Sequence, residues 1–467
     1  MTTDTGTMSY FSQPRHRRHF LQWAGAASML GQVNPLIGAA WQPAPRPQVA
    51  AIFTELRFRS HAYNILENFL QPYLFRGKLT DPGVDVVSFY ADQLPANDMA
   101  REVSERFKIP LFKSIDEALC LGSKKLAVDA VLSIGEHGDY PLNKRGQQMY
   151  PRKEFFDQSV AVMKRSGRFV PFFNDKHLSY RADWAQEMFE TARQYKIPLM
   201  AGSSVPLADR RPDLELPAGA NIEEAISVHG GGIESYDFHA LEVLQSMIES
   251  RRGGESGVRH VELLTGDALQ AAIKEKRWSM DLVNAAMAAE EQAGLARQAR
   301  PQSTGSKIQQ LQMPAKPYRI GHALCLTYRD GLRATALTVG SNGNRWNFAC
   351  RLRGSDKPLA TSFYNGPWGN RCLFKALSHA IQYLFIHRKE PYPVKRTLLV
   401  SNVLDAAMTS HEQGGKRIST PLLNTPYQPI PFEDLRENGE TWKLITLDSP
   451  QPARFEPGDA RWVKPTP

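Results

Sequence analysis

The chain has 467 residues, 42% hydrophobic and 22% charged, the balance of a soluble globular protein and too long for one typical core. Its net charge of +9 is spread along the sequence, with no Lys/Arg run longer than two and no basic–aromatic ladder, which argues against a nucleic-acid groove. The four cysteines, Cys120, Cys325, Cys350 and Cys372, lie far apart without a C-x-x-C pair and form neither a zinc knuckle nor a dense disulfide framework; they read as buried free thiols, with a Cys325–Cys350 pair across a sheet open if the compartment oxidises them.

In chain order, Arg17-Arg18 is followed by Phe20-Leu21 and a weakly apolar stretch broken by Gly, Gln, Asn and Pro. This resembles a bacterial twin-arginine signal and implies export to the periplasm or another extracytoplasmic space, without stable membrane insertion. The reading assigns residues 1–40 to the signal and 41–48 to a Pro-rich linker. Apolar runs then alternate with amphipathic stretches: strands at 49–53, 84–90, 127–134, 169–173 and 197–202, with helices between them. Each run is apolar throughout, as for a strand covered on both faces, so 49–202 is expected to be a Rossmann-like doubly wound parallel sheet. From 203 to 440 the pattern changes to an α+β domain, with alternating strands such as "HALCLTY", "ATALTV" and "WNFACRL" that predict an open, mainly antiparallel sheet with one solvated face. Residues 441–467 read as a tail.

Three polar tips stand out. "FVPFFNDKH" runs apolar and then turns into Asn174, Asp175, Lys176 and His177, the composition of a parallel strand ending at a ligand crevice. "SIGEHGDY" crowds Glu136, His137, Asp139 and Tyr140 at a glycine-flexed strand end. "GGGIESYDFHALEVL" places Glu234, Ser235, Asp237 and His239 in the first turns of a helix.

In this order the segments resemble the Gfo/Idh/MocA family of oxidoreductases. The similarity is carried by "VDVVSFYADQLPANDMAREVSERFKIPLFKSIDEAL", by "GGGIESYDFHALEVL" and by "PYPVKRTLLVSNVLDAAMTSHEQGGKRISTP". The resemblance implies hydride transfer between a tightly held NAD or NADP and a sugar or polyol. Lys176 stands for the lysine of the family's strand-end Glu-Lys-Pro, with Asp175 for the acid and His177 for the proline, and His239 for its helix histidine. Ser235, rather than Asp, lies four residues before that histidine. Glu136, His137, Asp139, Tyr140, Glu234 and Asp237 are the expected substrate-facing groups. On the cofactor side, Asp92 matches the acid that takes the adenosine ribose, while Thr54, Arg57, Ser60 and His61 line the loop after the first strand. That loop, "TELRFRSHA", departs from the family by holding no glycine. The resemblance further implies a homo-oligomer joined through the second domain's sheet face.

Two alternatives stay open. Glu136, His137, Asp139, His177, Glu234, Asp237 and His239 can be read as a mixed His/carboxylate metal site of a carbohydrate lyase or hydrolase; no metal-ligand spacing supports this, and no metal ligands are assigned. Alternatively, the chain is a non-catalytic carbohydrate-binding protein, with Trp346, Tyr364 and Trp368 stacking on sugar faces.

Overall fold

The computed structural model describes residues 45–295 and 318–455; the twin-arginine segment lies outside them. The first lobe begins with β1 (Gln48–Phe53), α1 (His61–Leu70), the hairpin strands β2 (Tyr73–Phe75) and β3 (Lys78–Thr80), and β4 (Asp85–Ala91). It continues with α2 (Ala100–Phe107), β5 (Leu111–Phe112), α3 (Ile115–Cys120), β6 (Ala130–Ile134), α4 (Arg152–Ser166), β7 (Phe172–Asp175), α5 (Ala182–Gln194) and β8 (Leu199–Gly202). Six strands pair in parallel in the order β5-β4-β1-β6-β7-β8. This is the doubly wound Rossmann order, whose ligand crevice opens at the carboxyl ends of the strands. β1 shows why these runs are apolar throughout. Val49, Ala51 and Phe53 enter one core while Ala50 and Ile52 enter another on the opposite face.

The second lobe holds β9 (Asp209–Arg211), β10 (Ile222–His229), α6 (Ser235–Ile248), β11 (Val258–Leu264), α7 (Gly266–Lys274) and α8 (Met280–Gln292). Next come β12 (Ile320–Tyr328), β13 (Arg333–Val339), β14 (Trp346–Leu352), β15 (Leu359–Tyr364), α9 (Asn370–His387) and α10 (Lys395–Glu412). Its seven-stranded sheet runs β11-β12-β13-β10-β14-β15-β9, antiparallel except where β10 meets β13. The expected solvated face is not found. α6 and α10 cover one side of this sheet, and α7 and α8 the other. Ile226, Val228, Leu337 and Ala349 pack with Leu282, Val283 and Ala286 of α8 in a core of their own. The alternation mistaken for exposure comes from small and polar residues buried under helices: Ser227, Thr335 and Asn347 are each at most 5% exposed. The face expected to join copies is thus covered by the chain itself.

Both sheets belong to one compact unit that starts at Arg46. α9 returns to the first lobe and lies against α1, where Asn68 Nδ2 donates to Ser378 Oγ at 3.2 Å. α10 packs on α5, α6 and β11 and so bridges the lobes. Its buried Arg396 Nε donates to Glu249, the residue that follows α6, at 2.8 Å. These two helices hold the carboxyl edge of the first sheet against the start of α6. All four cysteines are buried and free. No helix among the described residues is long and apolar enough to cross a membrane.

Candidate active site

Three chain segments meet where β6 and β7 end. β7 delivers Asp175 and then Lys176, whose φ of 62° is left-handed. β6 runs into Glu136 and His137, the latter also left-handed at φ 73°. Across the crevice Glu234 caps α6 at φ 71° and receives the α6 side chain of Asp237 on its own backbone N–H, at 2.9 Å. A non-glycine residue in this region costs on the order of 1–3 kcal/mol and persists where its surroundings over-determine it. Here the turns aim three functional side chains into one space.

Lys176 Nζ lies 2.8 Å from Glu136 Oε1, and Arg152, the first residue of α4, donates to Glu136 Oε2. Burial alone would push the Glu136 carboxyl up, but the ammonium of Lys176 and the guanidinium of Arg152 outweigh it and hold it well below the usual carboxylate range. His177 Nε2 faces Arg152 Nη1 at 3.3 Å and Glu234 Oε1 at 3.6 Å. Burial, reinforced by the Arg152 charge, lowers its basicity and keeps the ring neutral. These groups line a cavity of about 290 Å³ together with Leu142, Gly146, Gln148, Tyr150, Ile233, Ser235 and Phe238. His239 stands beside it, its Nδ1 2.7 Å from Ser203 Oγ and its ring edge-on to Trp346. Burial and the nearby charge of Lys176 depress its pKa well below the ordinary value, leaving a neutral imidazole. The charge of Lys176 reaches His239, so the two lie near one another, but His239 is not among the residues that line the cavity.

The remaining predicted residues divide. His61 reaches across the strand ends, with Nδ1 2.6 Å from Asp175 Oδ2 and its ring edge-on to His137 at 5.0 Å. Burial and the charge of His61 push His137 down to about 3. Asp92 is exposed and accepts hydrogen bonds from Tyr90 at 2.8 Å and Tyr140 at 2.5 Å, so Tyr140 is turned away from the cavity. Asp139 is tied through its backbone to the Gln93 amide. Asp237 corrects a prediction: it is fully buried and turned from the crevice towards His229 and His322. The mixed ligand set does not converge either. Among the described residues the group able to hold a metal is His229, Asp237 and His322, of which only Asp237 was a candidate. Trp346 is nearly buried against His229 and Tyr236, which leaves no free face for a sugar. Sequence reasoning missed Arg152, Ser203, His229 and His322. An arginine opening a helix after an acidic tip is the one available cue, and it is a weak one.

Whether a dinucleotide fits is decided by the loop after β1. Counting G-x-G-x-x-G from the strand end puts Thr54, Leu56 and Arg59 at the glycine positions. Thr54 and Leu56 are fully buried, and Thr54 Oγ1 donates to Glu136 O at 2.6 Å. The Leu56 N–H, a donor that a pyrophosphate would use, is taken by the Asp98 carboxylate at 2.7 Å. Ser60 caps α1 by accepting from Tyr63 N at 3.2 Å, and Arg57 pairs with Glu55 and meets His137 Nδ1 at 3.3 Å. The place of an anion is therefore filled by the protein's own carboxylates. These residues do not fit the dinucleotide in the mode that the resemblance implies.

No protein-family model matches the chain, and no curated protein matches it. Among solved structures it is similar to GenD2 from gentamicin A biosynthesis, crystallised with NAD, at TM-score 0.49 and 12% identity over 80% of this chain and 96% of that one. A myo-inositol dehydrogenase from Corynebacterium glutamicum gives TM-score 0.47 and 10% identity over 80% and 99% of the two chains. A myo-inositol 2-dehydrogenase from Lactobacillus plantarum gives 0.46 and 11% over 80% and 99%. The parallel sheet followed by a mixed, mainly antiparallel one is the two-lobed architecture that the Gfo/Idh/MocA resemblance implies.

Proposed function

We propose that the crevice binds a sugar or polyol and that Lys176 and His239 manage the proton of its reacting hydroxyl. The observation that carries this reading is the convergence of Lys176, Glu136, Arg152, His177 and Glu234 on one cavity at the carboxyl edge of a parallel sheet. Glu136 fixes the ammonium, which donates a hydrogen bond to a substrate oxygen. Neutral His239, steadied by Ser203, accepts a proton at its other ring nitrogen. Glu234 and the Arg152 guanidinium supply the acceptor and donor that hold neighbouring hydroxyls.

The second reading is redox chemistry on the same hydroxyl, favoured by the placement of Lys176 at the end of a parallel strand with His239 near it. It requires a dinucleotide, which would supply the hydride acceptor. Because loop 54–60 gives no seat to a pyrophosphate, no hydride step is assigned to these residues. Saturation-transfer NMR against a panel of sugars and polyols tests the proposal. Binding that is lost in Glu234→Gln and Arg152→Met supports it; binding that survives both counts against it. Denaturing the purified protein and analysing the released small molecules decides the cofactor, since stoichiometric NAD or NADP would reinstate the redox reading. We also read residues 1–40 as an export address, to be checked by cell fractionation; a homo-oligomer would have to use a surface other than the covered sheet face, which light scattering tests.

A further inference from the structure

Behind the crevice, in the second lobe, lies a cluster that the proposed reaction does not use. Asp237 Oδ1 is 2.8 Å from His322 Nε2 and 3.1 Å from His229 Nε2, and the three ligand atoms lie within 4.8 Å of one another. His229 and Asp237 are fully buried and His322 is 5% exposed. The strands are bent to make this meeting. The β12–β13 register slips between Ile320 and Ala323, just where His322 enters the strand. His229 and Thr338 are register partners on parallel β10 and β13. Gly231, having no side chain, lets the Tyr236 ring lie where a Cβ would come within 2.0 Å of it. Tyr236 and Trp346 lie nearly parallel to the His229 ring, each with its centroid 6.3 Å away, and screen it from water.

We propose that His229, Asp237 and His322 bind one divalent transition-metal ion through two imidazole Nε2 atoms and a carboxylate oxygen. Two imidazoles and a carboxylate are a donor set of borderline softness suited to iron, manganese, cobalt or zinc. Ligand atoms at right angles on a metal with bonds of about 2.05 Å lie about 2.9 Å apart; the two pairs that include Asp237 stand at 2.8 and 3.1 Å, and all three atoms lie within 4.8 Å. The Thr338 hydroxyl shares the same space, with Oγ1 3.2 Å from His229 Nε2 and 2.9 Å from His322 Nε2. The ion ties β10 and β12 to the first turn of α6. The other oxygen of Asp237 accepts the Glu234 N–H at 2.9 Å, so metal occupancy also sets the turn that presents Glu234 to the crevice.

The test uses the full chain, purified without a polyhistidine tag from metal-replete medium. Elemental analysis is expected to find about one equivalent of a divalent transition metal. After removal by a chelator, Co²⁺ should restore a visible d–d absorption band at about one equivalent and raise the melting temperature. His322→Ala should lose both responses. A wild-type protein without stoichiometric metal, giving neither band nor thermal shift with Co²⁺, would show that the cluster is a hydrogen-bonded triad with Gly231 N leaning on His229 Nδ1 at 3.4 Å. Equal metal retention by His322→Ala would place the metal elsewhere and also overturn the proposal. If that variant fails to fold, the wild-type stoichiometry and Co²⁺ spectrum still decide.

Discussion

Replacing Glu242 by Gln should flatten part of the pH dependence of folding. Glu242 lies on α6 about one turn beyond His239 and is fully buried, with the Thr397 hydroxyl donating to its Oε1 at 2.8 Å. Burial raises its carboxyl from the ordinary 4.5 to about 7, opposed in part by the Arg396 guanidinium and the Thr397 hydroxyl. The shift is about 2.5 units, worth about 3 kcal/mol at full effect. The native state keeps this proton while the unfolded chain releases it above about pH 4.5. The contribution is therefore complete below that pH, declines as pH rises towards 7, and has been lost above it, where the native carboxyl ionises too. Gln imitates the protonated acid. Urea denaturation at pH 5 and pH 8 should show the variant losing about 2.5 kcal/mol less than wild type across that interval. Parallel pH profiles for the two proteins would refute the argument that burial holds the proton.

Glu136→Gln leaves Lys176 and Arg152 without their buried counter-charge and should cost about 3–5 kcal/mol, read from urea midpoints; a loss under about 1 kcal/mol would contradict the ion-pair account. At Lys176, whose φ is 62°, glycine should be more stable than alanine by about 1 kcal/mol, with both variants inactive. Equal midpoints would remove the claim of backbone strain. Asp92→Ala frees the Tyr90 and Tyr140 hydroxyls and should speed amide exchange across residues 136–140 without changing affinity for NADH. A large drop in that affinity would restore Asp92 as a ribose acid.

The first lobe could be read from sequence because a strand buried on both faces calls for apolar residues in succession, as β1 has from Val49 to Phe53 and β6 at every position but Ser133. β10 escaped because "IEEAISVH" carries two acids after its first residue and ends in histidine. Glu224 is nonetheless buried, accepting the Ser279 N–H at 2.9 Å, and His229 is buried against Asp237. Local polarity was satisfied by partners far along the chain, which a single sequence does not display. The same reason divides the site. Lys176, Glu136 and His239 stand at element ends, where sequence order forecasts a crevice. Arg152 and His322 acquire meaning only through contacts, and His322 depends on a strand bulge that leaves no compositional mark. Asp237 illustrates the opposite error, since helix position suggested a residue facing substrate whereas its carboxylate closes the capping box and faces inward.

The most direct measurement is a crystal structure of the protein soaked with whichever sugar or polyol binds it in solution. The account predicts the ligand between Tyr150, Lys176, His177 and Glu234, with an oxygen in hydrogen-bond reach of the Lys176 ammonium and of His239. A ligand bound elsewhere, with only water in the crevice, would contradict it.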